Sequence, residues 1–148
     1  MSPVAVRLEM VREAIRADPR FELSTLEADR PGPSYAVDTV RAVREDFPAA
    51  DLFLIVGVDQ LRHFATWHEP EELLRHVRLA VMDRGGESAR TVADRVLGEH
   101  EPVFVPVRRV DISSTVVRAA GHEGRDVAEW VPAGVAAIIA RERLYSPP

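Results

Sequence analysis

Three consecutive hydroxyl side chains, Ser113, Ser114 and Thr115, lie where the pattern of polar and apolar residues predicts the start of a helix. The first N–H groups of a helix lack partners within the helix, and the helix dipole favours negative charge at that end. Arg118 follows Ser114 by four residues, so its guanidinium shares that helix face. The segment from Ile112 to Arg118 therefore predicts a phosphate-binding site. The alternative, equally favoured by this segment alone, is that Ser113 caps the helix and Arg118 is solvated.

A glycine and an acidic residue lie at the end of the most apolar stretch of the chain. Residues 52–58 form an unbroken apolar run, which is typical of a strand buried on both faces of a parallel sheet. Gly57, near the carboxyl end of that strand, would let a ligand approach the backbone, and Asp59 could accept hydrogen bonds from ribose hydroxyls. Taken alone, the segment favours the simpler alternative, in which Gly57 relieves a turn and Asp59 caps the next helix.

Aromatic and hydroxyl residues in two predicted loops offer further contacts for a ligand. Trp67, next to the candidate nucleotide edge, could stack on a flat heterocycle, although taken alone it is more simply a core residue. Residues 30–34 are rich in turn formers, and the hydroxyl groups that follow could fix a loop over a ligand or simply cap a helix. The five histidines do not show the spacing of metal ligands, so no zinc site is expected.

The composition excludes several mechanisms. All 19 basic residues are arginine, and the 148-residue chain contains no lysine, asparagine or cysteine. A Schiff base, a P-loop lysine and a thiol nucleophile are therefore excluded, and any bound phosphate must meet arginine, hydroxyls, histidine or backbone N–H groups. The net charge of −5 argues against a nucleic-acid or anionic-membrane binder. Since the sequence shows neither a signal peptide nor a run of about 18 apolar residues, a cytoplasmic protein is expected.

Hydrophobic spacing predicts alternating helices and strands that would position these residues. Helices are predicted over residues 2–18, 35–47, 59–64, 70–76, 88–97, 113–120 and 132–143. Strands are predicted over residues 21–27, 52–58, 78–82 and 102–107, and a loop is predicted at Gly85 and Gly86. This alternation indicates a single α/β domain, residues 1–148, with a mainly parallel sheet.

Read together in chain order, these segments resemble the bacterial nicotinate-nucleotide adenylyltransferases of NAD biosynthesis. The matching pieces cover nearly the whole chain and are residues 7–10, 32–39, 55–61, 67 with 70–74, 112–118 and 138–145. Each piece is weak by itself, but six pieces in the same order and at similar spacing are specific. The resemblance implies a Rossmann-like doubly wound fold of the nucleotidyltransferase superfamily, with a mainly parallel sheet.

The resemblance also implies an adenylyl transfer. The 5′-phosphate of nicotinate mononucleotide would attack the α-phosphorus of ATP, giving deamido-NAD and pyrophosphate, with a magnesium ion on the phosphates and no metal held by the protein. By the same resemblance Arg118 is the catalytic residue, and the ATP-binding residues are Gly57, Asp59, Ile112, Ser113, Ser114, Thr115 and Arg118. The residues that would bind the nicotinate nucleotide are Ser34, Tyr35, Ala36, Trp67 and His68, with Trp67 stacked on the nicotinate ring. Such catalysis acts by positioning and electrostatic stabilisation, which suits a chain without lysine or cysteine.

The chain departs from the family pattern in three places. Ala36 stands where the family usually has threonine, and His68 stands where it often has tyrosine. The family begins with a strand, a Gly-rich turn and a His-x-x-His signature, which do not precede Ser2, so at least about 30 residues, one βαβ unit, are expected to be missing.

Other readings stay open on the sequence alone. The chain could be a non-catalytic nucleotide-binding remnant, or a module that a partner chain completes. It could also be a related adenylyltransferase with another acceptor, such as pantetheine phosphate. The sequence leaves the formation of a homo-oligomer open as well.

Overall fold

A computed structural model describes residues 2–83, 88–108, 110 and 112–145. Its helices are α1 (Val4–Ile15), α2 (Leu26–Asp29), α3 (Ala36–Asp46), α4 (Val58–Arg62), α5 (Pro70–His76), α6 (Ala89–Val96), α7 (Ser114–His122) and α8 (Ala133–Arg141), with a 3₁₀ turn at Phe64–Thr66. Its strands are β1 (Phe53–Gly57), β2 (Arg78–Asp83) and β3 (Val103–Pro106). These elements confirm the predicted alternation, and none of the helices in the described ranges is long and apolar enough to cross a membrane.

The strand predicted over residues 21–27 is wrong. Residues 21–25 have no regular structure, and α2 begins at Leu26. The reason is local hydrogen bonding, since the Thr25 hydroxyl donates to the Asp29 carboxylate at 2.7 Å and the Leu26 N–H donates to the Ser24 hydroxyl at 3.3 Å. Hydroxyl side chains of this kind favour turns and helix starts over strands. Phe21 is 62% exposed, so the alternating residues bury no apolar face. The loop predicted at Gly85 and Gly86 lies outside the described residues.

The three strands form a parallel sheet in the order β1-β2-β3. Phe53 lies opposite Arg78 at one end of the β1–β2 pair, and β3 joins with Val103 opposite Ala80. Because all three strands run in the same direction, their carboxyl ends lie at one edge of the sheet. Those ends are Gly57, Asp83 and Pro106.

The residues fall into two compact units, of which Arg30–Arg109 contains the sheet together with α3, α4, α5 and α6. Helices and one face of the sheet share an apolar core there, formed by Val37, Val40, Val56, Leu61, Phe64, Leu73, Val77, Leu79, Val81, Ala89, Val92, Ala93 and Leu97. Side chains alternate between the faces of a strand, and Ile55, which points away from this core, is 65% exposed. The core fixes α4 and the end of β1, which carry Gly57 and Asp59. That residues 1–148 form one domain stays a prediction.

The other unit, Met1–Asp29 with Val110–Pro148, contains α1, α7 and α8. Its core consists of Val117, Ala120, Val127, Val135 and Ile139. The Arg141 guanidinium donates to the Glu9 carboxylate at 2.7 Å and so joins α8 to α1. Tyr145 packs against α7, because a Cβ added at Gly121 would lie 3.2 Å from the Tyr145 Cβ.

Helices α7 and α8 each end in a hydrogen-bonded turn of the same type. In each, the residue that reverses the chain has a positive φ, 71° at Gly124 and 48° at Arg143. Glycine is usual at this position because it has no Cβ, so Arg143 holds a backbone conformation that costs roughly 1–2 kcal/mol. At the end of α7, the N–H of Gly124 donates to the Gly121 carbonyl (3.2 Å) and the N–H of Arg125 donates to the Ala120 carbonyl (2.8 Å). At the end of α8, the N–H of Arg143 donates to the Ala140 carbonyl (3.2 Å) and the N–H of Leu144 donates to the Ile139 carbonyl (2.9 Å).

The ion pair between α1 and α8 predicts a pH dependence of stability. The hydrogen bond from Arg141 lowers the pKa of Glu9 below its ordinary value of 4.5. A carboxyl whose pKa is lower in the folded state stabilises the protein above its unfolded pKa, and that contribution is lost as pH falls through the folded value. We expect Glu9→Gln to reduce the loss of stability on acidification below about pH 4.5, measured as the free energy of urea unfolding at a series of pH values. Equal pH profiles for the two proteins would contradict the assignment.

Candidate functional site

The start of α7 is the clearest candidate for a phosphate site. Ser113 is the N-cap residue, and its hydroxyl accepts a hydrogen bond from the Val116 N–H at 3.3 Å. The capping role that the sequence left open is therefore real. Ser114 and Thr115 follow in the first turn, both exposed, as are Ile112 and Ser113. The cap leaves these two hydroxyl groups and the first N–H groups of the helix facing outward, where an anion could bind.

Arg118 lies one turn further along α7. Its guanidinium is 3.5 Å from the Thr115 hydroxyl, so the arginine and the hydroxyl residues share one face, as their spacing predicts. Arg118 also lines an open groove of about 760 Å³ together with Ser2, Pro3, Arg7, Arg143, Leu144 and Tyr145. All of these residues belong to the unit of α1, α7 and α8. The structure thus adds Arg7 and Arg143, which the sequence did not single out, to the surroundings of Arg118.

Gly57 and Asp59 lie at the carboxyl edge of the sheet. Gly57 is both the last residue of β1 and the N-cap of α4, and a Cβ added there would meet no atom within 4 Å. The space above this residue is open to a ligand. The Asp59 side chain is 91% exposed and forms an ion pair with Arg62, while α4 has no side-chain cap. The predicted cap at Asp59 is therefore wrong, and its role toward a ribose stays a prediction.

Two residues of the candidate nucleotide-binding set contact each other. The rings of Tyr35 and His68 stack with centroids 4.1 Å apart and planes 30° apart. Tyr35 is the N-cap of α3, and His68 lies in the loop before α5, so the two loops that the sequence singled out meet here. Tyr35 is 42% exposed, which leaves part of the pair open to solvent.

Trp67 is half-buried beside this pair. Its ring lies 5.2 Å from that of Phe64, tilted by 44°, and it packs against the core. The core role that the sequence left open thus holds for part of the side chain, while the rest is accessible. Ser34 and Ala36 flank Tyr35, and Ala36 is the first residue of α3. As the first residue of a helix, Ala36 has no acceptor within the helix for its N–H.

Two glutamates near the stacked pair of Tyr35 and His68 interact with cationic side chains. The Arg41 guanidinium donates to Glu69 at 2.6 Å, and this hydrogen bond raises the pKa of Arg41. Glu72 interacts with His76 at 3.1 Å and accepts a hydrogen bond from Arg75 at 2.7 Å, which together lower its pKa. Neutralised carboxylates repel an anionic ligand less than free ones do. The surface around Tyr35 and His68 therefore repels the carboxylate of an aromatic ligand less than free glutamates would.

The residues that the structure describes include no group of three or more His, Asp or Glu side chains placed to hold a metal ion. The described residues that line the groove beside Arg118 instead include three arginines. Arginine presents N–H donors to phosphate and does not coordinate cations. Arginine donors of this kind suit a phosphate group that enters with a cation already bound to it.

Comparison with known proteins identifies the family. The family model described as cytidylyltransferase-like matches residues 1–120. The probable nicotinate-nucleotide adenylyltransferase of Thermus thermophilus is 43% identical over 145 residues, which span 98% of this chain and 75% of that protein. The proteins of the same name from Methylibium petroleiphilum and Salinibacter ruber are 39% and 35% identical, and the matches cover 96% and 99% of this chain and 69% and 74% of those proteins.

Solved structures agree on the fold. Plasmodium falciparum nicotinic acid mononucleotide adenylyltransferase complexed with APC superposes with a TM-score of 0.77, covering 98% of this chain and 77% of that one at 17% identity. The same enzyme complexed with NaAD gives a TM-score of 0.75 at 16% identity. At that identity the likeness concerns the fold, and it confirms the α/β nucleotidyltransferase architecture. The family model matches residues 1–120, and the relatives are 35–43% identical across nearly all of the chain. The chain therefore belongs to the nicotinate-nucleotide adenylyltransferase family.

Proposed function

We propose that this chain transfers the adenylyl group of ATP to nicotinate mononucleotide in NAD biosynthesis, giving deamido-NAD and pyrophosphate. An oxygen of the mononucleotide 5′-phosphate bonds to the α-phosphorus, the bond from that phosphorus to the bridging oxygen breaks, and the electron pair leaves with pyrophosphate. The observation that carries the proposal is the start of α7, where exposed hydroxyls and the Arg118 guanidinium share one face. In the chain of a nucleotidyltransferase, that arrangement suits the phosphates of ATP.

The phosphates are assigned to the α7 segment. Ser114, Thr115 and the first N–H groups of α7 bind phosphate oxygens, Ile112 and Ser113 shape the approach, and Arg118 stabilises negative charge that develops in the transition state. Gly57 and Asp59 receive the ribose of ATP. Magnesium enters with ATP as part of the substrate and offsets phosphate charge, while the protein contributes hydroxyl, N–H and guanidinium donors. The reaction is placed in the cytoplasm, as expected from the sequence.

The acceptor nucleotide is assigned to the surface formed by Ser34, Tyr35, Ala36, Trp67 and His68. The stacked pair of Tyr35 and His68 and the accessible part of Trp67 offer faces for the pyridine ring. The N–H of Ala36 at the start of α3 offers a donor for its carboxylate. A backbone donor serves this purpose whether the residue is alanine or threonine, so the departure at this position leaves the carboxylate contact intact.

This assignment predicts the effect of removing a single backbone donor. Proline is tolerated at the first residue of a helix, because the N–H it lacks has no helical partner there. We expect Ala36→Pro to leave the melting temperature nearly unchanged and to lower kcat/KM for nicotinate mononucleotide about tenfold, the lower end of the value of one hydrogen bond to a charged group. Kinetics on the corresponding amide supply the control, since its neutral oxygen gains less from this donor than the carboxylate does. An equal loss on both acceptors would contradict the carboxylate assignment.

The acceptor is tested by initial rates of pyrophosphate release from ATP with three compounds. Nicotinate mononucleotide is expected to give the highest rate, its amide a lower one and pantetheine phosphate none. A higher rate with pantetheine phosphate would favour the related adenylyltransferase. Binding of ATP without turnover on any acceptor would favour the non-catalytic module.

A further inference from the structure

The groove beside Arg118 concentrates positive charge in a chain whose net charge is −5. Of the seven described residues that line it, three are arginine and none is acidic. Arg7 comes from the first turn of α1, Arg118 from α7 and Arg143 from the turn after α8. Three separate elements thus each contribute an arginine to one groove, whose volume of about 760 Å³ lies in the range of small-molecule sites.

In the part of the chain that the structure describes, neither Arg7, Arg118 nor Arg143 forms an ion pair. The acidic residues nearest in sequence to Arg7 and Arg143 are Glu9 and Glu142, and both accept hydrogen bonds from Arg141, at 2.7 and 2.8 Å. Glu123, the nearest to Arg118, accepts a hydrogen bond from Arg125 at 2.7 Å. The first turns of α1 and α7 contain no acidic residue, although the helix dipole favours one there. Among the described residues, therefore, no carboxylate has to be displaced before an anion can bind in the groove.

Arg143 occupies a position that suits glycine better. Its φ of 48° corresponds to the 71° of Gly124 at the end of α7, where the same turn is made by glycine. Glycine would adopt this conformation without strain, so the backbone does not require arginine. What arginine adds is a guanidinium at the groove, on a turn held by two backbone hydrogen bonds to α8.

We infer that Arg7 and Arg143, together with Arg118, bind the β- and γ-phosphates of ATP and hold the pyrophosphate that leaves. This rests on the proposed function, in which pyrophosphate is the leaving group. When the bond from the α-phosphorus to the bridging oxygen breaks, its electron pair adds negative charge to pyrophosphate. Guanidinium groups match this charge and can donate two parallel hydrogen bonds to one phosphate. Arg7 and Arg143 are thus leaving-group-binding residues of the site.

The test is direct binding of inorganic pyrophosphate to the full chain, measured by isothermal titration calorimetry at fixed ionic strength. We expect Arg143→Gly to weaken binding about tenfold while its melting temperature stays equal to wild type or rises, because glycine suits the turn. Arg7→Ala is expected to weaken binding by a similar factor. Arg12→Ala is the matched control, since Arg12 lies on α1 but does not line the groove, and it is expected to bind as wild type does.

The outcomes separate this inference from the proposed function. Pyrophosphate binding that is unchanged in both Arg143→Gly and Arg7→Ala would overturn the inference, as would an equal loss in Arg12→Ala, even if adenylyl transfer proceeds. Selective loss in the two groove variants supports the inference, even if the chain shows no turnover with nicotinate mononucleotide, in which case the proposed function alone fails. In an active enzyme, the two groove variants should also weaken product inhibition by pyrophosphate.

Discussion

Replacing Arg118 with alanine is expected to raise the KM for ATP and to lower kcat, reducing kcat/KM for ATP about 10- to 150-fold. This range corresponds to the loss of one charge-assisted phosphate contact, worth about 1.5–3 kcal/mol. The guanidinium shares its helix face with the Thr115 hydroxyl, and Arg118 lines a groove whose described lining residues include no acidic side chain. Since the charge on the phosphates changes during the transfer, part of the loss should appear in kcat.

One further variant sharpens this test. Arg118→Lys keeps the charge but loses the planar pair of donors, so its kcat/KM should lie between those of wild type and alanine. Melting temperatures should be nearly equal for all three proteins, because Arg118 is exposed. If the kinetics of Arg118→Ala are unchanged, Arg118 is a surface charge and the α7 assignment fails.

Replacing Trp67 with alanine is expected to weaken binding of nicotinate mononucleotide by up to about 150-fold, with little change in the KM for ATP. Stacking of a flat ring on an aromatic side chain is worth roughly 1–3 kcal/mol. Because Trp67 also packs on Phe64, the variant should lose stability as well, and the binding measurement must be made well below its melting temperature. Trp67→Phe keeps a stacking face and should retain most of the affinity.

The second tryptophan supplies a control. Trp130 packs in the core of the unit that contains α1, α7 and α8, so Trp130→Phe should leave the affinity for the mononucleotide unchanged. If Trp67→Ala instead weakens ATP binding, the stacking assignment is wrong.

Much of the fold follows from local signals in the sequence. The helix at Pro70–His76 begins with proline in its first turn. This start signal can be read directly from the sequence. The apolar run of β1 is equally clear, but its predicted burial on both faces is wrong, because only Val56 of the strand is buried and Ile55 is 65% exposed. The strand predicted over residues 21–27 failed because alternation indicates a strand only where a partner and an apolar core exist, whereas hydroxyl groups at Ser24 and Thr25 support a turn and a helix start.

Only part of the candidate site could be predicted from the sequence. The hydroxyl–arginine segment of α7 is contiguous, so spacing along one helix sufficed to place Ser114 and Arg118 on one face. Arg7 and Arg143 come from opposite ends of the chain, and only tertiary packing brings them to the groove of Arg118. One signal was available in the sequence, namely an arginine just after a helix where glycine is usual. The stacking of Tyr35 on His68 likewise depends on packing between two loops.

The most direct test of the account follows the fate of the α-phosphate of ATP. The protein is incubated with ATP labelled at the α-phosphate and with nicotinate mononucleotide, and the products are separated. We expect the label to enter deamido-NAD and one pyrophosphate to form for each dinucleotide, and both products should depend on the mononucleotide. Label that stays in ATP, or that appears in AMP without a dinucleotide, would contradict adenylyl transfer by this chain.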